Sequence, residues 1–67
     1  MKVAEIQSWA ERQPFRPFTV RLNNGARYTF GDPRNFGAPR DYRVIVYFGA
    51  SELVVIDPDS IAEIIQN

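Results

Sequence analysis

Apolar positions along this chain change period as the chain proceeds, and each period predicts a different element. Val3, Ile6 and Ala10 recur at helical spacing, with Trp9 widening the stripe. Glu5 and Glu11 lie off that stripe and Pro14 cannot continue a helix, so a helix is expected over about residues 2–12. A helix this short is marginal in water and must dock its apolar face, which makes Trp9 a core anchor in this reading. Arg12-Gln13-Pro14-Phe15-Arg16-Pro17-Phe18 follows as a stiff connector, its two prolines fixing φ and its phenylalanines plugging the core.

The period then becomes two. Phe18, Val20 and Leu22 alternate with Thr19 and Arg21; after Asn23-Asn24-Gly25, Ala26, Tyr28 and Phe30 alternate with Arg27 and Thr29. This is a β-hairpin pattern. A two-residue turn would split the two apolar sets between opposite faces. A three-residue loop with Gly25 in the left-handed region pairs Leu22 with Ala26, Val20 with Tyr28 and Phe18 with Phe30, giving one apolar face. The second register is expected.

Gly31, Pro33, Gly37 and Pro39 crowd too closely for either period, so residues 31–41 read as a loop. Residues 42–48 then form an apolar strand with Val44, Val46 and Phe48 on one face and Ile45 and Tyr47 on the other. Such a strand is expected at the centre of a sheet and covered on both sides. Gly49-Ala50-Ser51 turns it into a partner at 52–56. In the tail, Asp57-Pro58 has the form of a helix cap followed by proline, and Ile61, Ile64 and Ile65 also fit a helical stripe. The β-branched residues and the shortness of the segment favour one helical turn at 58–60 and a strand near 61–65.

With 67 residues there is room for one domain, spanning 1–67. A chain this short buries only roughly 60% of its unfolded surface, so self-association would supply core that it lacks. There is no Cys and no His, which removes disulfides and most zinc, haem and iron–sulfur chemistry; no cofactor is expected. No segment approaches a membrane span or an apolar leader, and a cytoplasmic protein is expected. The net charge is zero but unevenly placed. Residues 12–43 hold seven arginines against two aspartates, a net +5, whereas residues 44–67 hold four carboxylates and no base. That asymmetry fits an anion-binding face, two complementary faces meeting in an oligomer, or a fold that interleaves the halves.

The order of elements, with Val20-Arg21-Leu22-Asn23-Asn24-Gly25, Gly31, and the run from Ile56-Asp57-Pro58-Asp59-Ser60 to Ile65, resembles the Sm/LSm small barrel, including its bacterial Hfq branch. An SH3-like barrel fits the same strand pattern. The opening Arg12-Gln13-Pro14-Phe15-Arg16-Pro17-Phe18 also resembles short bacterial proteins of uncharacterised function. The first resemblance implies a mainly β fold, an N-terminal helix followed by a small antiparallel barrel of about five strands. It also implies rings formed through the last two strands, and RNA binding. At the turn where Sm proteins carry a glycine-flanked basic motif, this chain has Asp57-Pro58-Asp59, and two carboxylates repel phosphate.

Catalysis is not expected, because no activated nucleophile is recognisable. Asp57 and Asp59 could act as an acid–base or magnesium pair, but a capped turn accounts for them fully. The candidate nucleic-acid surface is Arg34, Phe36, Arg40, Tyr42 and Arg43, extended by Arg21 and Arg27 on the outer face of the hairpin. Arginine supplies bidentate donors to phosphate, and an exposed ring could stack a base. A solvated loop with Phe36 tucked inward has the same composition. The expected function is a non-catalytic binding and assembly module whose partner is protein, first of all another copy; the alternative is a single-stranded RNA binder using the arginine face.

Overall fold

In the computed structural model, which describes residues 3–66, the Asn24-Gly25 hairpin closes with the three-residue loop that the alternation requires. The Leu22 N–H donates to the Ala26 carbonyl at 2.8 Å, and Gly25 sits at φ +92°, a conformation that side-chain-bearing residues avoid. Strand β1 (Phe18–Leu22) therefore pairs with β2 (Arg27–Phe30) as Phe18↔Phe30 and Val20↔Tyr28. Thr19 and Thr29 fall on the opposite face, where their hydroxyls meet at 2.9 Å.

The tail folds as one turn and a strand. Asp57 caps a 3-10 turn at Pro58–Ser60 by accepting from the Asp59 N–H, and β6 (Ile61–Gln66) then runs antiparallel along the other side of β1. One residue, Ala62, bulges out of that ladder, since Arg21 pairs with Glu63 and Leu22 with Ile61. The first sheet has the order β2-β1-β6.

The second sheet has the order β3-β4-β5, with β3 at Phe36–Gly37, β4 at Ile45–Phe48 and β5 at Leu53–Ile56. Three expectations are corrected here. The 31–41 segment is not all loop. Asp32-Pro33 starts a second 3-10 turn, Pro33–Asn35, capped as the first one is, with the Asp32 carboxylate accepting from the Arg34 N–H. The strand expected at 42–48 begins only at Ile45. Tyr42 takes φ +54° and donates its N–H to Pro39, and Asp41 accepts from the Arg43 N–H, so residues 39–43 are held in a turn. The helix is shorter than expected: α1 spans Val3–Ala10, and of the residues proposed for it Lys2 lies outside the described ones.

The core lies where the inward faces of both sheets meet α1. Phe18 touches Trp9, Phe15, Phe30 and Phe36 at ring-centroid distances of 5.7, 6.0, 5.1 and 6.4 Å. Phe30 meets Phe36 and Tyr47 edge-on at 5.2 and 5.6 Å, which ties the first sheet to the second. Ile6 projects from α1 into this cluster with no exposed surface, and Trp9 packs at its margin beneath the Arg12 guanidinium, 4.2 Å from the ring. The mainly β class expected from the pattern is present. The barrel is not closed: six strands pair in two sheets, and among the described residues no ladder joins one sheet to the other.

Removing the hinge of this cluster should take away a large part of the domain's stability. Phe30→Ala should cost about 3–5 kcal/mol, against a total of roughly 3–10 kcal/mol for a domain of this length. Urea denaturation followed by circular dichroism checks this, with the exposed Arg27→Ala expected within about 0.5 kcal/mol of the parent.

Candidate interaction surfaces

The arginine-rich segment is less free than its composition suggests. The β1–β6 register places Arg21 beside Glu63, 42 residues away in sequence, and Arg21 Nε donates to Glu63 Oε1 at 2.6 Å. This pair joins the basic half of the chain to the acidic half, so the two halves interleave. Arg34 lies 3.5 Å from Asp32 and Arg43 lies 3.4 Å from Asp41. Each of these exposed pairs is worth little in stability, but each places a carboxylate beside a guanidinium. The Arg34 backbone N–H, ahead of its side-chain charge, holds the Asp32 carboxyl below its ordinary value. Arg27, opposite Arg21 in the hairpin, and Arg40 are exposed and make no ion pair among the described residues.

Both candidate stacking rings are turned inward. Phe36 is half-buried against Phe18, Phe30 and Tyr42. Tyr42 is 8% exposed and its hydroxyl donates to Glu11 Oε2 at 3.0 Å, fastening the 39–43 turn to the end of α1. A bulky residue at φ +54° is strained, and this buried ring with its hydrogen bond holds it there. The seven candidate residues therefore form no single aromatic and cationic surface: the rings serve the core, and the free charges are Arg27 and Arg40.

A pocket of about 180 Å³ lies between Val3, Asp41, Arg43, Asp57, Pro58 and Asp59. It contains the Asp57–Asp59 pair, but Asp57 is engaged as the cap of its turn and Asp41 is tied to Arg43. Among the described residues no three potential metal-ligating side chains converge. No helix among them is long and apolar enough to cross a membrane.

The exposed apolar surface lies elsewhere, on the outer face of the second sheet. Along β4 and β5 the inward residues are Ile45, Tyr47, Val54 and Ile56; the outward ones are Val46, Phe48, Leu53 and Val55. Phe48 is 40% exposed, Leu53 61% and Val55 63%. They form two cross-strand pairs, Phe48↔Leu53 and Val46↔Val55. Gly37 completes the face from β3: a Cβ there would lie 2.7 Å from the Phe48 ring, so the missing side chain is what allows the ring to lie across that strand. The strand expected to be covered on both faces is thus central in its sheet but covered on one side only. Sequence reasoning saw the two-sided apolar pattern and missed which side stays open.

The Tyr42 anchor has a measurable signature. Burial first, and then the hydrogen bond to the Glu11 carboxylate and its charge, raise the Tyr42 phenol above its ordinary 10.0. A folded-state value above the unfolded one means that this contribution to stability is full below pH 10.0 and is lost as pH climbs through the raised value. Alkaline titration by ultraviolet absorbance should show a tyrosine step above pH 10.0 that Tyr42→Phe removes. A Tyr42→Phe variant that keeps the parent's high-pH step would contradict the anchor.

No protein-family model, curated protein or solved structure matches this chain, so its functional reading rests on the geometry described above.

Proposed function

We propose that this chain is a non-catalytic assembly module that associates with further copies of itself through its second sheet, built as an open small β domain of the Sm/SH3-like kind. The observation that carries the reading is the contiguous apolar outer face of Val46, Phe48, Leu53 and Val55. Solvating this face is unfavourable in a domain with a small core, and a second copy set beside the second sheet relieves part of that exposure, which one eight-residue helix cannot.

The magnitudes set what kind of association to expect. Full burial of a Val, Leu or Phe side chain stabilises by about 1.5–3 kcal/mol. Covering the exposed parts of Phe48, Leu53 and Val55 gives roughly 3–4 kcal/mol per copy on that scale. Two copies together roughly match the 4–15 kcal/mol cost of bringing two bodies together. The apolar face alone therefore supports a weak, concentration-dependent complex. Single-stranded RNA binding has less beneath it, because three of the arginines already face carboxylates and the two rings lie in the core.

Light scattering on size-exclusion fractions should show the molar mass rising above the 7.7 kDa monomer as concentration increases. Leu53→Lys with Val55→Lys should return it to the monomer without loss of the β signal in circular dichroism, since both side chains are exposed. A monomer at millimolar concentration would remove the proposal.

A further inference from the structure

Among the described residues there are four sheet edges, and only one of them is undefended. Natural sheets blunt their edges with charge, proline, bulges or extreme shortness, because an open row of N–H and C=O groups templates another strand. Edge β3 is two residues long. Edge β2 carries the exposed Arg27 and Thr29. Edge β6 carries the exposed Glu63 and the Ala62 bulge. Edge β5 is Leu-Val-Val-Ile, four residues without charge, proline or bulge.

The direction of its free groups follows from the hairpin. The Gly49 N–H donates to the Glu52 carbonyl at 2.8 Å, which makes that pair a hydrogen-bonded one. Antiparallel ladders alternate, so Tyr47↔Val54 and Ile45↔Ile56 are hydrogen-bonded and Phe48↔Leu53 and Val46↔Val55 are not. The N–H and C=O of Leu53 and Val55 therefore point away from β4, toward the open edge. The same two residues carry the most exposed large apolar side chains among the described residues.

We infer that β5 pairs antiparallel with β5 of a second copy about a twofold axis through Val54, forming one six-stranded sheet; this rests on the self-association proposed above. The occupant follows from the census of edges. Each copy has a single undefended strand, so only an isologous pair consumes the undefended edge of both copies, whereas β5 against any other edge meets a charge, a bulge or a two-residue stub. The register follows from side-chain direction and charge. Leu53 opposite Val55 of the second copy, and the reverse, makes both pairs hydrogen-bonded and keeps both side chains on the outer face. Two rows of four apolar side chains, Phe48–Leu53–Val55–Val46, then cross the joined sheet. Glu52 falls opposite Ile56 and Asp57 opposite Ser51, so no two carboxylates are directly opposed. Sliding by two residues in one direction sets Leu53 against Asp57, and in the other sets Val55 against Ser51. The rows stay on the outer face, touching along the seam without being covered, so the backbone bonds of the two edges carry most of the pairing.

The test uses two single-cysteine variants of a chain that has no cysteine, Leu53→Cys and Val55→Cys. In the inferred register these positions face each other across a hydrogen-bonded pair at a Cα separation of about 5.5 Å, which a disulfide spans. Like positions lie roughly 8–9 Å apart, beyond disulfide reach. Mild oxidation of the mixed proteins should give the heterodimer of Leu53→Cys with Val55→Cys in large excess over either homodimer. Val55→Pro, which removes an N–H that β4 does not use, should halve the molar mass from two copies to one while the β signal persists. If the parent associates but the mixture shows no preference for the heterodimer, or the proline variant associates as the parent does, or the mass is that of three or more copies, the twofold pairing is overturned and self-association stands. If the parent stays monomeric at every concentration, both fall.

Discussion

Phe18 is the constraint on which the rest of this structure depends. Its ring touches one aromatic from the helix, one from the proline connector, one from its own hairpin and one from the second sheet. Among the described aromatic rings no other meets so many separate elements, and helix, connector, hairpin and second sheet all turn a ring toward it. The helix is about 12 Å long. It spends its apolar stripe at this junction, through Ile6 and Trp9, so the outer face of β4 and β5 receives no cover. The exposed Phe48, Leu53 and Val55 are thus a consequence of where the small core had to form.

The same economy explains why the arginine-rich segment does not assemble into a surface for nucleic acid. A short chain needs its aromatics inside. Phe36 and Tyr42 go to the core, and the strain of Tyr42 at positive φ is held by its buried ring and its bond to Glu11. What remains outside are guanidinium groups, three of them beside carboxylates that turns or ladders bring close.

Local chemistry made half of this architecture legible in the sequence. Asn24-Gly25 with strict alternation on both sides fixes a register, because a slip by one residue would turn every apolar side chain to water. Asp57-Pro58 announces a capped turn, and the turn is there. Asp32-Pro33 carries the same signal, yet Gly31, Gly37 and Pro39 around it read as a formless loop and hid both the turn and the short strand after it. The late start of β4 was not legible at all, since Tyr42 is held by a residue 31 positions away. For the interaction surface, the sequence revealed a strand apolar on both faces. Which face stays bare depends on where the helix docks, and the helix pattern says only that it must dock. The Arg21–Glu63 pair was likewise invisible, because only the β1–β6 register brings those residues together.

Site-resolved amide hydrogen exchange, measured across a range of protein concentrations, tests the role of the bare β5 edge most directly. The Leu53 and Val55 amides have no partner within β4's ladder, whereas Val54 and Ile56 do. At high concentration Leu53 and Val55 should be protected to the level of Val54, and on dilution they should lose that protection while Val54 keeps its own. Fast exchange at Leu53 and Val55 at every concentration would mean that the edge stays open to water, and would contradict the account.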